Sequence, residues 1–490
     1  MSVRSAAIWA MGSQYTAFTI NFFASVYLAR LYIGPDELGL FSIAFAAATL
    51  IAVMQDFGLT RYIAGSSELD DAKIRTAFSV SITIAWIIAL VSIALAWPMA
   101  ALYDQPRLFP LMLIIGASYF IVPFAIVPTA LRQRAMDFKA NTLIEVGAAL
   151  ANAVVSIGLA QRGYGAIALA WGAFAQQIAR VAISQWRNGF LKPWPLSFGG
   201  AKPMLRFGGG SSLLLVSGSL GGKLPDLLIG QLINELAVGL FARGTGLAAQ
   251  LRMLASGAVA GVFYPAFARI RDRGEALGPP YERVVACYCA VTWPAMAGLA
   301  VLAEPLIRLL YGERWIAAAL PLQWIAVSQL FFIALPLHVE LPILMGKMRP
   351  LVLRCLLDTA ISIALLALGA WIGLEWAAAS RVAYGLAWVA IFAGFLHRLV
   401  GFDWGRLLSL YARTAFATLA AIAPALLFYD VWDGPRQSGF AQIVASGFAG
   451  LVAWLIALWF VRHPALGEIV ALATPFTTRL RRRSVLTGAG

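Results

Sequence analysis

Charged side chains are scarce in this chain of 490 residues. Only 12% of the residues are Asp, Glu, Lys or Arg, whereas 61% are hydrophobic, and the mean hydropathy is +0.80. A soluble globular protein carries about 25% charged residues, and no water-soluble fold could bury this much apolar surface. The composition therefore excludes a soluble protein and predicts one that lies mostly within a lipid bilayer.

Residues that build catalytic and metal sites are also rare. The chain has three histidines and three cysteines, Cys287, Cys289 and Cys355, and the cysteines lie in apolar stretches. Their spacing matches neither a disulfide framework nor a metal site. A phosphate-binding loop for ATP is missing too, because Gly208-Gly-Gly210 follows no strand. We therefore expect no enzymatic activity, no catalytic residue, no metal and no cofactor.

Long apolar runs, in contrast, fill the chain. A spanning helix needs about 20 mostly apolar residues, and about fourteen such runs are present. Helices are expected because backbone groups in lipid must be hydrogen-bonded within their own segment, and the alternation of a membrane barrel is missing. The predicted runs, numbered 1 to 14, are 5–29, 38–56, 76–97, 108–130, 142–161, 165–187, 207–232, 238–263, 284–303, 319–345, 351–372, 375–396, 413–430 and 440–461. Run 1 is too long for a signal-peptide core, so we expect the mature protein to keep it.

Basic residues are divided unevenly between alternate loops. One set of loops holds 26 Lys and Arg residues and the other set holds 6. Because such an excess marks the cytoplasmic side, both termini are predicted to be cytoplasmic. The net charge of +14 then reflects topology, and nucleic acid is not an expected partner. The basic stretch Arg479–Arg483 is expected to contact anionic membrane lipid.

A short motif recurs about 200 residues along the chain. The segment that begins at Arg30 and ends in Gly39-Leu-Phe41 resembles the segment that begins at Gly230 and ends in Gly239-Leu-Phe241. Both segments lead into even-numbered runs from the outer side, which predicts a parallel internal repeat. Duplicated helical bundles around a cavity are a common plan among transporters.

Ionisable residues inside the predicted runs are the candidates for function, because each costs roughly 2.5–3.5 kcal/mol on membrane insertion scales. The basic and acidic members are Arg180, Lys223, Arg243, Arg252, Arg381, Glu145, Asp226, Glu340 and Asp358. Arg252 lies near the middle of run 8, and we expect it to line a hydrated cavity and contact an anion. A buried structural ion pair is the alternative. Arg243 is closer to the outer end and could instead reach the membrane interface.

Two further groups of residues suggest specific roles. Lys223 and Asp226 share one face of run 7, and Pro225 between them is expected to interrupt the helix and free backbone groups for a substrate. A local ion pair is the alternative. His338 and Glu340 of run 10 could carry a coupling proton, or could form a polar kink. Asp358 and Glu145 are added to the candidates for ion coupling, and Arg180 and Arg381 to those for substrate binding.

Four stretches together resemble a known family. They are Leu28–Phe41, Leu131–Lys139, the region from Pro225 through Arg243 to Phe263–Phe267, and Leu309–Trp315. In order and spacing, they are similar to the Wzx-like bacterial polysaccharide flippases of the multidrug/oligosaccharidyl-lipid/polysaccharide exporter superfamily. The resemblance implies an all-α membrane fold of two six-helix lobes, here 1–206 and 207–398, followed by 399–490 with runs 13 and 14 and a basic tail.

The resemblance also implies a function. Such proteins move undecaprenyl-diphosphate-linked oligosaccharides from the cytoplasmic to the periplasmic leaflet of the bacterial inner membrane, for O-antigen, capsule or exopolysaccharide synthesis. The expected partners are this lipid-linked substrate and the polysaccharide polymerase and chain-length machinery. One alternative is an exporter of small drug-like cations, which would favour an acidic cavity. The other is a membrane polymerase or ligase, which would ordinarily show a sizeable outer loop that this sequence lacks.

Overall fold

The computed structural model describes residues 3–55, 58–65, 69–135, 137–187, 194–431 and 439–467. Within these ranges the regular structure consists of α-helices and two short 3-10 helices, Ala52–Met54 and Glu313–Ala318, without a strand. This agrees with the demand that a backbone in lipid satisfy its own hydrogen bonds.

Nineteen α-helices follow one another along the described chain. The first ten are α1 (Val3–Leu31), α2 (Pro35–Ile51), α3 (Leu59–Gly65), α4 (Asp71–Ala94), α5 (Ala96–Leu102), α6 (Leu108–Ser118), α7 (Pro123–Arg134), α8 (Phe138–Ala160), α9 (Ala166–Arg187) and α10 (Ala201–Leu232). The others are α11 (Glu235–Asp272), α12 (Gly278–Val301), α13 (Ala303–Tyr311), α14 (Ala319–Ala334), α15 (Glu340–Leu344), α16 (Met348–Ile372), α17 (Leu374–Val400), α18 (Trp404–Val431) and α19 (Phe440–Phe460).

Each predicted apolar run coincides with one of these helices or with a broken pair of them. Among the described residues, nine helical segments are long and apolar enough to cross a membrane, and the pair α6 and α7, bent by 45°, would make a tenth. The chain is therefore an all-α, multi-pass membrane protein, as predicted. The exact number of fourteen spans is not confirmed.

The chain divides into two compact units. The first comprises Met1–Ala242, Leu310–Trp315 and Leu366–Leu374, and the second comprises Arg243–Leu309, Ile316–Leu365 and Glu375–Gly490. Helix α11 thus starts in the first unit and continues in the second. The lobe boundaries expected from the sequence, at residues 206 and 398, stay a prediction.

Small side chains and glycines bring helices together within each unit. In the first unit, α8 packs along α9 and α1, and α2 packs on α10 and α6. In the second unit, α12 packs on α14 and α18, and α18 packs on α19. The buried cluster at the last of these contacts contains Ala290, Ala417, Ala457 and Leu458. Packing of small residues is the usual basis of helix association in lipid, where no hydrophobic driving force acts between helices.

The two copies of the repeated motif meet directly inside the first unit. A methyl group added to Gly39 of α2 would overlap the carbonyl oxygen of Glu235, and one added to Gly239 of α11 would overlap that of Pro35. Pro35 lies four residues before Gly39, and Glu235 lies four residues before Gly239. The contact is therefore reciprocal, because each glycine meets the residue that lies four positions before the other glycine. Only glycine allows two helix backbones to approach this closely.

Candidate functional site

Arg180 is paired with a carboxylate between α8 and α9 of the first unit. Its Nη2 lies 2.9 Å from Glu145 Oε2, and its Nη1 donates to Gln177 Oε1 at 3.3 Å. Further along the same contact, Asn152 donates to Gln176 at 3.1 Å. The bonds to Glu145 and Asn152 join the two helices, and Glu145 offsets the charge of Arg180. The expected place of Arg180 in a substrate cavity remains a prediction, as does ion coupling at Glu145.

Lys223 and Asp226 lie on a continuous helix, so the break expected at Pro225 is wrong. Helix α10 runs through this proline, which is buried inside it. Proline is tolerated in membrane helices when neighbouring groups satisfy the nearby backbone, and α10 continues through it to Leu232. Two residues beyond the proline, the Leu227 carbonyl oxygen accepts a further hydrogen bond from the Tyr103 hydroxyl at 2.9 Å. The backbone of α10 is therefore not opened for a ligand at this point.

The amino group of Lys223 contacts an aromatic ring rather than forming a close ion pair. Its Nζ lies 5.1 Å from the ring centroid of Phe45 in α2, a cation–π distance. Asp226 lies within electrostatic reach of Lys223, yet among the described residues no carboxylate oxygen comes within 4.0 Å of this lysine. Substrate contact at Lys223 and Asp226 stays a prediction.

Arg252, the leading candidate of the sequence, is held by a neutral side chain. It lies on α11 in the second unit, is exposed, and donates from Nη1 to Gln329 Oε1 of α14 at 3.0 Å. Tyr288 and His338 are within electrostatic reach of it. Within the described part of the chain, no carboxylate lies within 4.0 Å of its guanidinium. The positive charge of Arg252 is therefore not neutralised by a close ion pair there. Arg243, nine residues earlier on α11, is buried.

Run 10, in which the sequence left a kink open, is broken in the structure. Helix α14 ends at Ala334 and α15 begins at Glu340, with Leu337 between them in the left-handed backbone region at a φ of 59°. The cause is Pro336, which has no N–H to continue the helix and disfavours the helical conformation of the residue before it. His338 lies in this break, packed against the rings of Trp388 at 4.8 Å and Phe392 at 5.2 Å.

The polar groups of His338 and Glu340 take different positions around the break. The His338 ring packs between Trp388 and Phe392 of α17. Glu340 is the first residue of α15, where a negative charge suits the positive end of the helix dipole. The two residues form part of a polar kink, the alternative that the sequence left open, and their use in ion coupling stays a prediction.

Asp358 and Arg381 belong to one polar cluster between α16 and α17. Arg381 Nη1 donates to Ser362 Oγ at 2.9 Å, and its guanidinium lies 4.4 Å from the ring centroid of Tyr384. Tyr384 and Asp358 are within electrostatic reach of each other, and Asp358 is also within reach of Arg381. The cluster thus brings opposite charges and a tyrosine together. The roles predicted for Arg381 in substrate binding and for Asp358 in ion coupling remain predictions.

Sequence reasoning missed the neutral members of these arrangements. Gln329 and Tyr384 have no charge, so the search for ionisable residues in apolar runs could not find them. Their partners lie 77 residues away in the chain for Gln329 and on a neighbouring helix for Tyr384. No group of three or more potential metal ligands occurs within the described ranges.

Comparison with known proteins decides the family. The family model described as polysaccharide biosynthesis protein matches residues 27–320, more than half of the chain. The chain belongs to this family. The match includes the four stretches, up to Trp315, in which the sequence resembles the Wzx-like flippases, and that resemblance is confirmed.

The chain is also similar to two proteins that are named for polysaccharide synthesis or transport. The chain is 22% identical over 290 residues to the lipopolysaccharide biosynthesis protein WzxC of Escherichia coli K12, a match that covers 59% of each chain. It is 23% identical over 328 residues to the succinoglycan biosynthesis transport protein ExoT of Rhizobium meliloti 1021, covering 66% of this chain and 65% of that protein. The chain thus matches about three fifths to two thirds of the length of these relatives.

The fold is shared with a solved membrane protein. The lipid II flippase MurJ, in an inward closed conformation, superposes with a TM-score of 0.74 at 12% sequence identity, covering 93% of this chain and 99% of MurJ. At this identity the likeness concerns the fold alone. It confirms the transporter-like helical architecture that the sequence predicted.

Proposed function

We propose that this protein moves undecaprenyl-diphosphate-linked oligosaccharides from the cytoplasmic to the periplasmic leaflet of the bacterial inner membrane. The observation that carries the proposal is the match of residues 27–320 to the polysaccharide biosynthesis protein family in a chain with a MurJ-like fold. The product would feed O-antigen, capsule or exopolysaccharide synthesis, and both termini would be cytoplasmic. A polysaccharide polymerase and chain-length machinery are the proposed partners.

The main physical obstacle to this transport is the polar head of the substrate, which must cross the hydrocarbon layer. Its hydroxyl groups and diphosphate would lose their water in hydrocarbon, at several kcal/mol for each unsatisfied group. A hydrated cavity within the protein would remove this cost for the head, while the polyprenyl tail remains in lipid. Rocking of the lobes would then expose the cavity to either side of the membrane in turn.

Arg252 supplies a chemical reason for an anionic cargo. A guanidinium binds phosphate oxygens through charge-assisted hydrogen bonds, and Arg252 is exposed with an amide as its hydrogen-bond partner. An exporter of drug-like cations, the alternative within the superfamily, would need a negative charge at such a position. The charge of Arg252 therefore disfavours that alternative.

A deletion strain tests the proposed function. We expect mass spectrometry of extracted lipids to show accumulation of a completed polyprenyl-diphosphate oligosaccharide, together with loss of the surface polymer. The mass of the accumulated species would identify the cargo. An intact surface polymer without such accumulation would rule out this function.

Replacement of Arg252 tests whether this residue contributes to the proposed transport. We expect Arg252→Ala to reduce transport roughly tenfold or more, the effect of losing about 1.4 kcal/mol of substrate contact. The matched control is Arg162→Ala, which removes an exposed arginine from the loop between α8 and α9. Normal surface polysaccharide in the Arg252→Ala strain, at equal protein level in the membrane, would contradict the role of Arg252.

A further inference from the structure

The partner of Arg252 is an uncharged amide, although a charge in this region would ordinarily be paired. Gln329 Oε1 of α14 accepts one hydrogen bond from Nη1 of Arg252 at 3.0 Å. Arg252 is exposed, and Gln329 is partly buried beside it. A planar guanidinium carries several N–H donors in a fork that suits two oxygens at once, so this single bond leaves most of its capacity unused.

The other close groups do not neutralise the arginine. Tyr288 of α12 and His338, in the break after α14, are titratable groups within its electrostatic reach, and neither is a carboxylate. In the second unit, Asp358 lies instead within electrostatic reach of Arg381 and Tyr384. Among the described residues, no carboxylate forms a close ion pair with Arg252.

The chemistry of glutamine suits a partner that can be displaced. An amide oxygen fixes the guanidinium by one bond, but it competes weakly with a diphosphate, which offers charged oxygens in bidentate geometry. A glutamate in its place would form an ion pair that a substrate must break. An apolar residue would leave the empty site without a hydrogen bond to orient the arginine.

We propose that Gln329 is the resident partner of Arg252 in the empty transporter, a neutral partner that an anionic substrate can displace from the guanidinium. On binding, the diphosphate or an acidic sugar takes over the guanidinium, and the Gln329 amide is released. Because Arg252 lies on α11 and Gln329 on α14, the exchange also removes a bond between these helices. The inference rests on the proposed function, since it assumes that an anionic lipid-linked substrate reaches Arg252.

Binding to the full-length protein in lipid nanodiscs tests this inference. The probe is undecaprenyl diphosphate, with undecaprenol as the neutral control, and the dissociation constant of each is measured for the wild type and three variants. We expect Gln329→Glu to weaken diphosphate binding about tenfold or more, because the new carboxylate occupies Arg252. We expect Gln329→Leu to bind the diphosphate at least as tightly as the wild type, because nothing then competes for the guanidinium.

Gln323→Glu is the matched control. It introduces the same charge on the same helix six residues earlier, and we expect it to bind the diphosphate nearly as the wild type does. Undecaprenol binding should be equal in all variants, which verifies that each is folded.

Three results would overturn the inference. Equal diphosphate affinity in Gln329→Glu and the wild type would show that the side chain at position 329 does not compete with the substrate for Arg252. A loss in Gln329→Leu as large as that in Gln329→Glu would show that Gln329 is itself a substrate ligand. Equal affinity of the wild type for the diphosphate and the alcohol would refute an anion contact altogether, and this is the one outcome that also removes Arg252 from the proposed function.

Discussion

Runs 4 and 10 hold corresponding places in the predicted repeat, and both are interrupted near a proline, but their interruptions are stabilised differently. Run 4 bends by 45° between α6 and α7, just before Pro123. Run 10 opens between α14 and α15 around Pro336. Interrupted helices at matching positions of two repeats are a known feature of transporters, where they mark the region of the substrate site.

The bend in run 4 keeps most of its hydrogen bonds within the backbone. The N–H groups of Tyr119, Phe120 and Ile121 each donate to the carbonyl three residues earlier, at 3.1 to 3.2 Å. The chain thus continues through the bend as a tightened turn. Side chains add two bonds, from Trp86 of α4 to the Phe120 carbonyl at 3.2 Å and from Gln185 of α9 to the Phe124 carbonyl at 2.8 Å.

The break in run 10 depends instead on donors from other helices. Four carbonyls near the end of α14 accept side-chain bonds: Leu330 from Trp293 at 3.0 Å, Ile333 from Cys289 at 3.7 Å, Ala334 from Tyr411 at 2.6 Å and Pro336 from Tyr281 at 3.2 Å. Three of these donors lie on α12 and the fourth, Tyr411, lies on α18. Helix α18, which follows the predicted second lobe, therefore helps to shape run 10.

The two copies of the repeated motif meet at Gly39 and Gly239, and substitution of these glycines is expected to change stability the most. We expect Gly39→Ala or Gly239→Ala to lower the free energy of unfolding by about 3 kcal/mol or more, because each new methyl group overlaps a backbone oxygen of the other helix. The measurements are thermal unfolding in detergent and the yield of monodisperse protein. Gly246→Ala on α11 meets open space and is the control, expected to be neutral or slightly stabilising.

The double variant sharpens this test. If the contact is reciprocal, a single displacement of the crossing accommodates both methyl groups, and the combined cost of Gly39→Ala and Gly239→Ala should be less than the sum. Additive costs would show that the two glycines act as separate sites and that the motif has no shared structural role.

Loss of the two tyrosine donors that bond to run 10 from α12 and α18 should have the next largest effect. We expect the double variant Tyr281→Phe and Tyr411→Phe to lose about 2–4 kcal/mol of unfolding free energy, since two carbonyls in an apolar region lose their donors. Denaturant unfolding in detergent measures the change. Tyr164→Phe, which alters an exposed hydroxyl in the loop after α8, is the control. Stability equal to the wild type would contradict the dependence of this break on α12 and α18.

Runs 7 and 10, which both contain prolines, show how far sequence could predict the fold. Apolar length predicted where helices lie, because lipid leaves the backbone no other solution. It could not predict that Pro225 stays inside α10 while Pro336 ends α14. The difference lies in the neighbours: Tyr281 and Tyr411 supply donors to an opened backbone, and they are 55 and 77 residues away from the carbonyls they bond.

The sequence predicted which charged residues are candidates for the site, but it did not predict which residues they contact. The cost of an ionisable group in an apolar run marked both Arg252 and Arg180 as candidates, with Arg252 leading because it lies near the middle of its run. Only the structure shows that Arg180 is paired with Glu145, 35 residues away, whereas Arg252 is bonded to the neutral Gln329. Proximity in sequence was also a poor guide, since Lys223 lies over Phe45 rather than forming a close pair with Asp226. Pairing is a property of helix packing, which a single sequence does not specify.

The smallest effect is expected for the side-chain donor at the bend of run 4. We expect Trp86→Phe to lower the free energy of unfolding by only about 0.5–1 kcal/mol, because its bond to Phe120 is long and exposed and the bend keeps its backbone bonds. Trp97→Phe, at an exposed site on α5, controls for the smaller ring, and both are compared by denaturant unfolding. A loss as large as that of the tyrosine pair would mean that run 4 also depends on outside donors. The two interruptions would then be of one kind, and α18 would have no special part in the second.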